Sequence, residues 1–173
     1  MIALDLDGTL ALQNHEVSPL TRDALDDLHH NGVEVVIATG RRYRTTRYVI
    51  ENLGFDVFAV CNGGALVKAP DQSTVYNENF SILPFLVLTR GLNLTLFAQR
   101  DAHDHGGADF VLDSVPAWNE VTDRHVANNH DWCEVRDLTN SGKEFMVAGC
   151  FGHEKELNRL ADQIANDNGS IYK

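Results

Sequence analysis

The chain has 173 residues, with 14 Lys plus Arg against 25 Asp plus Glu and a formal charge of −11. Hydrophobic residues make up 43% and charged residues 23%, a globular composition that excludes a disordered or collagen-like chain. The acidic balance offers no clustered basic face of the kind nucleic acid requires, and no apolar run approaches the ~20 residues of a membrane-spanning helix.

Residues 2–64 alternate between two kinds of segment. Ile2-Ala3-Leu4 is a short apolar run ending in Asp5. A helix is expected next: Ser18 can cap it, Pro19 suits its first turn, and Leu20, Ala24, Leu25 and Leu28 recur at helical spacing until Asn31-Gly32. Residues 33–38 form a β-branched run that ends at Thr39-Gly40. A second helix is expected over residues 43–53, with Val49, Ile50 and Leu53 on one side and Gly54 as its stop. A third apolar run, residues 57–60, ends at Cys61-Asn62-Gly63-Gly64. Strands and helices alternating at such short intervals imply an α/β fold with a parallel sheet and right-handed crossovers.

After about residue 67 the rhythm changes. Residues 75–80, 92–99, 108–115 and 144–151 read as strands with one wet face, residues 81–90 as a helix. Residues 153–168 make a longer helix with Leu157, Leu160, Ala161, Ile164 and Ala165 on one face. A second, α+β unit over residues 67–173 is expected, divided from residues 1–66 by the turn residues Ala69-Pro70-Asp71. Cys61, Cys133 and Cys150 show no metal-type spacing and read as reduced thiols of a cytoplasmic protein.

In an open parallel sheet, ligands bind beyond the carboxyl ends of the strands. Here those ends carry Asp5-Leu6-Asp7-Gly8-Thr9, Thr39-Gly40-Arg41 and Asn62-Gly63. Two carboxylates two residues apart, directly after a buried strand and before a glycine, suit paired nucleophile and acid–base chemistry. The competing reading is a solvated turn in which Asp5 and Asp7 satisfy local amides.

These motifs carry a resemblance. Asp-Leu-Asp-Gly-Thr-Leu near the start, Ala-Thr-Gly-Arg at 38–41 and Cys-Asn-Gly-Gly at 61–64 resemble the haloacid dehalogenase superfamily of phosphohydrolases. Within it, the likeness is to Cof-type sugar-phosphate phosphatases, in which an α/β cap follows the third strand. The resemblance implies a Rossmann-like core over residues 1–66 and a cap over 67–173. It further implies Mg2+-dependent hydrolysis of small phosphorylated metabolites. Asp5 would be the nucleophile that forms an aspartyl-phosphate. Asp7 would be general acid and then general base, and Mg2+ would sit on the Asp5 carboxylate and the Asp7 main-chain carbonyl. Thr39 and Gly40 would bind the phosphoryl group. Arg41 would reach the phosphate or the cap, against the reading of an exposed arginine at a helix start. Asn62 and Gly63 would lie at the substrate mouth, against the reading of a simple tight turn.

Two parts of the family pattern have no counterpart. The family needs a lysine that steadies the nucleophile and a later Gly-Asp motif that completes the metal site, and no Gly-Asp pair occurs in the sequence. Neither Lys143 nor Lys155 stands where that lysine would be expected. The implication is the N-terminal part of a longer enzyme, with turnover far below that of an extended chain and the first strand left as an exposed edge. The rival expectation is a phosphate- or Mg2+-binding module without turnover. A phospho-accepting receiver domain fits less well, because of the Asp-x-Asp-Gly-Thr spacing and the inserted second half.

Weaker signals remain. Asp101, His103, Asp104, His105 and Asp109 cluster around Gly106-Gly107, which reads as a solvated loop more readily than as a metal site. His29 and His30 suit the end of a helix, and Trp118 and Trp132 read as core of the second unit.

Overall fold

The computed structural model describes residues 1–11, 16–103, 106–114 and 120–166. The chain divides into two compact units, Met1–Glu78 and Asn79–Lys173.

The first unit is a five-stranded sheet in the order β1-β2-β3-β4-β5. β1 (Ile2–Asp5), β2 (Val35–Ala38) and β3 (Phe58–Cys61) run parallel, with Leu4 beside Ile37 and Ile37 beside Ala59. α1 (Pro19–His30) and α2 (Tyr43–Glu51) are the two crossovers. Both turn right-handed in the same direction along the sheet, which puts them on one face. There Leu25, Val49 and Leu53 pack on Val35 and Ile37 in one cluster with Leu6 and Leu10. The opposite face carries half-buried Val36, Ala38, Phe58 and Val60. β1 is an edge strand, as expected.

Ser18 caps α1 as anticipated, its hydroxyl accepting from the Thr21 amide at 3.1 Å. The apolar face is narrower than its spacing suggests: only Leu25 is buried, and Leu20 is 82% exposed. Leu20, Ala24 and Leu28 step by four residues and lie on a stripe rotated from Leu25, which alone faces the sheet.

The expected boundary near residue 67 is corrected. β4 (Leu66–Lys68) and β5 (Thr74–Asn77) pair antiparallel and extend the first sheet beyond β3. The turn residues between them close a hairpin instead of dividing units: the Ala69 amide donates to Ser73 O at 2.9 Å and Gln72 takes φ 71°. The strand expected over residues 75–80 is accordingly two, β5 in the first unit and β6 (Phe80–Ser81) in the second.

The second unit holds a sheet ordered β11-β7-β8-β9, and β6 pairs with β10 apart from it. Its elements are α3 (Leu83–Thr89), β7 (Leu94–Gln99), β8 (Phe110–Asp113), α4 (Glu120–Asn129), β9 (Cys133–Arg136), β10 (Lys143–Phe145), β11 (Val147–Gly152) and α5 (Glu154–Asn166). Leu94, Leu96 and Leu160 form a cluster with Leu86 and Leu157, seating α3 and α5 on one face. On the other, the rings of Phe110, Phe97 and Phe151 stack in sequence, and His125 of α4 packs at 4.6 Å from Phe151. α4 and β9 were not legible in the sequence. Val, Thr, Asp and Asn dilute helix propensity over residues 120–129, yet α4 forms the crossover between the parallel strands β8 and β9. Two further expectations are corrected. Trp132 is 40% exposed and is not core, and Ala161 and Ala165 face outward from α5. Trp118, Asp104 and His105 lie outside the described residues.

Candidate active site

The three parallel strands end on one rim. Asp5 closes β1. The chain then turns back through Gly8, at φ 76°, a conformation that glycine adopts without a Cβ penalty. The Leu10 amide donates to Asp5 O at 3.2 Å and the Ala11 amide to Leu6 O at 2.8 Å. This loop returns the Thr9 hydroxyl to the Asp5 carboxylate, donating to Oδ2 at 3.3 Å. Asp5 and Asp7 are both exposed, while Leu6 between them is fully buried and pins the loop into the core.

Thr39 follows β2 directly and is buried, with its amide donating to Val60 O at 2.9 Å. Nothing lies within 4 Å of where a Cβ on Gly40 would be, so the approach to its backbone is open. Arg41 ties the three motifs together. Its amide donates to Thr39 Oγ1 at 3.1 Å, and its carbonyl accepts from the Asn62 amide at 2.8 Å. Its guanidinium clamps Asp7 with two bonds, Nε to Oδ2 at 2.8 Å and Nη2 to Oδ1. The residue read as reaching a phosphate or a cap thus holds the second carboxylate of the first motif. Spacing does not reveal such a pair, whose members stand 34 residues apart.

Asn62 is buried at φ 53°, and Gly63 at φ 65° donates its amide to Thr39 O at 3.3 Å. This is a tight turn, and it buttresses Thr39 from the third strand end. Asp5, Asp7, Thr39, Gly40, Arg41, Asn62 and Gly63 therefore belong to one rim, and the Thr9 hydroxyl joins them. Among the described residues no group of three His, Cys, Asp or Glu side chains is arranged to hold a metal. Two clefts of this unit lie away from the rim. One of about 230 Å³ is lined by Tyr43, Glu51 and Gln72, and one of about 430 Å³ by His29, Glu34 and Asp56.

A family model described as haloacid dehalogenase-like hydrolase matches residues 2–103. An HMP-PP phosphatase of Cronobacter sakazakii is 32% identical over 79 residues, covering 46% of this chain and 29% of the relative. Phosphatase YwpJ of Bacillus subtilis is 35% identical over 78 residues, 45% of this chain and 27% of the relative. An HMP-PP phosphatase of Yersinia pestis aligns over 152 residues at 25% identity, covering 78% of this chain and 54% of its own length. Among solved structures, TM0651 of Thermotoga maritima superposes with a TM-score of 0.72 at 23% identity, over 96% of this chain and 61% of that one. At that identity the likeness is one of fold.

An acidic pair at the end of the first of three parallel strands, with a threonine and an open glycine at the end of the second, defines an α/β protein with a polar rim at the carboxyl ends of its strands. The chain belongs to the haloacid dehalogenase-like hydrolase family. It spans between about a quarter and about half the length of the curated relatives cited here.

Proposed function

We propose that this chain carries the nucleophile and the acid–base group of a Mg2+-dependent phosphatase for small phosphorylated metabolites, sugar phosphates among them. The observation that carries the reading is the Arg41 clamp, which sets Asp7 on the same rim as Asp5, Thr39 and Gly40. The names of the curated relatives support it.

In this reading a carboxylate oxygen of Asp5 attacks phosphorus in line. The bond from phosphorus to the leaving oxygen breaks, and Asp7 gives that oxygen a proton. Asp7 then takes a proton from water, whose oxygen attacks phosphorus and releases phosphate from Asp5. Thr9 binds Oδ2 of Asp5 and leaves Oδ1 to attack. Thr39 and the Gly40 amide hold the phosphoryl oxygens, and the N-terminus of α2 favours their charge. With both oxygens accepting from Arg41, Asp7 stands as an acceptor, the form needed for the water step. Donation to the leaving group requires Arg41 to release one oxygen.

The Asp5 carboxylate and the Asp7 main-chain carbonyl are hard oxygen donors, and so few protein ligands suit Mg2+, which keeps several waters. Bound there, the ion would neutralise charge on the phosphoryl oxygens. The second unit, Asn79–Lys173, takes the part of a cap that selects the substrate.

A second reading, a module that binds phosphate and Mg2+ without turnover, draws on the two carboxylates, Asp5 and Asp7, that the described residues place at the rim. Release of phosphate from an aryl phosphate, measured beside binding of Mg2+ and of inorganic phosphate, separates the two. The expected result is hydrolysis by the wild type, a labelled acyl-phosphate on rapid quench, and neither in Asp5→Asn. Binding with no release favours the module. Undiminished turnover in Asp5→Asn overturns the nucleophile assignment.

A further inference from the structure

The loop between β4 and β5 carries a residue that its own geometry disfavours. The Gln72 amide donates to Ala69 O at 2.8 Å and the Ala69 amide to Ser73 O at 2.9 Å, which makes Pro70, Asp71 and Gln72 a three-residue hairpin loop. The last position of such a loop is left-handed and customarily glycine. Here it is glutamine, at φ 71°. Asn62 is the other non-glycine residue with positive φ among the described residues, and asparagine tolerates that conformation through its short polar side chain. Glutamine has no such advantage. Its side-chain amide makes no hydrogen bond to a described residue, so nothing in the fold offsets the strain. A strained residue held without a local gain points to a role for its side chain.

Half-buried Gln72 lines the cleft of about 230 Å³ beside α2. Ile50, Val57 and Ala59 give that cleft an apolar lining, and Val57 and Ala59 are buried. Glu51 and Asp56 are its two acids, both exposed. Glu51 is paired with Arg47, whereas the Asp56 carboxylate has no hydrogen-bond or ion-pair partner among the described residues. A few polar groups over an apolar base are the usual make-up of a small-molecule site. Asp56 and the formal charge of −11 repel an anion and attract a cation. A cavity of about 150 Å³ holds one benzene ring, so about 230 Å³ holds roughly nine non-hydrogen atoms.

We infer that this cleft is a binding site for a small organic ammonium with an apolar body of that size. The ammonium donates to the Asp56 carboxylate and to the side-chain carbonyl of Gln72, and the body lies on Ile50, Val57 and Ala59. The site is distinct from the rim: Val57 precedes β3, whereas Asn62 and Gly63 follow it. The inference therefore stands apart from the phosphate-site reading above.

The probe is phenethylammonium, titrated into the isotope-labelled whole chain and followed by amide and methyl NMR, with uncharged 2-phenylethanol as its isostere. Saturable shifts are expected at Ile50, Val57 and Gln72, with a dissociation constant on the order of 1 mM. The alcohol is expected to bind roughly fivefold more weakly, and Asp56→Asn to lose about as much affinity for the amine. Gln72→Gly is expected to bind the amine several-fold more weakly, yet to melt about 2 °C higher, because glycine relieves the turn. Absence of saturable shifts at these residues overturns the inference, as does equal binding of amine and alcohol. Wild-type affinity in Asp56→Asn or in Gln72→Gly overturns it too. So does a lowered melting temperature in Gln72→Gly, which would assign the glutamine to the turn itself. If a variant does not fold, the comparison of amine with alcohol on the wild type decides.

Discussion

Replacing Arg41 tests the geometry of the candidate active site most directly, because its side chain and its backbone do separable jobs. The main-chain bonds to Thr39 Oγ1 and from the Asn62 amide survive any substitution that keeps the loop, whereas the two-point clamp on Asp7 does not. Hydrogen bonds between charged groups contribute about 1.5–3 kcal/mol each. The Arg41 side chain is 18% exposed but that of Asp7 is 56% exposed, so solvent screening reduces the pair to roughly 1–2 kcal/mol of orientation. Little of this is global stability, and the melting temperature of Arg41→Met is expected to fall by less than about 4 °C. The effect on chemistry is larger, since a misplacement of about 1 Å in a reacting group costs about a hundredfold in rate. Arg41→Met is therefore expected to lower kcat by about 10²-fold. Arg41→Lys, which keeps charge but loses the fork, is expected to lower it by about tenfold. Steady-state hydrolysis of an aryl phosphate, with kcat and KM resolved, is the assay. Turnover of Arg41→Met within twofold of wild type refutes the positioning of Asp7 by Arg41. A raised KM at unchanged kcat would instead assign the guanidinium to the phosphate.

Other outcomes follow from single contacts. A Cβ on Gly149 would lie 2.5 Å from the Phe97 ring, which Phe110 and Phe151 hold from both sides. Gly149→Ala is thus expected to destabilise the second unit by about 1–3 kcal/mol in urea denaturation. Gly40→Ala has no such neighbour and is expected to leave stability alone while weakening phosphate binding in calorimetry. Ser18→Ala removes the bond from the Thr21 amide and is expected to cost about 1 kcal/mol in the same denaturation experiment. Burial pushes the Glu144 carboxyl up, but hydrogen bonds from Arg136 and Arg100 outweigh it and hold it below the ordinary glutamate value. A depressed carboxylate contributes stability at pH values above its unfolded pKa and loses it as the pH falls through the folded one. Melting temperature is expected to drop below about pH 4.3, with a shallower fall in Glu144→Gln.

Much of the first unit is legible in its amino-acid sequence. Strong periodicity bounded by Ser18-Pro19, Asn31-Gly32 and Gly54 marks α1 and α2, and the polar residues after each apolar run mark the rim, because local geometry alone sets where such strands end. The second unit was less legible. α4 has poor intrinsic propensity and is held by packing of His125 against Phe110 and Phe151. The residues between β4 and β5 carried a correct turn signal, yet only strand pairing tells whether a turn closes a hairpin or separates two units.

The residue types of the site, and their order along the chain, were present in the amino-acid sequence alone: an acidic pair, a threonine and glycine, an asparagine and glycine. Which of them meet was decided by tertiary structure. Arg41 finds Asp7 because parallel strands β1 and β2 bring their carboxyl ends together, and Lys68 finds Tyr43 because a hairpin folds β4 under α2. Pairings of this kind depend on register and crossover handedness, long-range properties that no local spacing encodes.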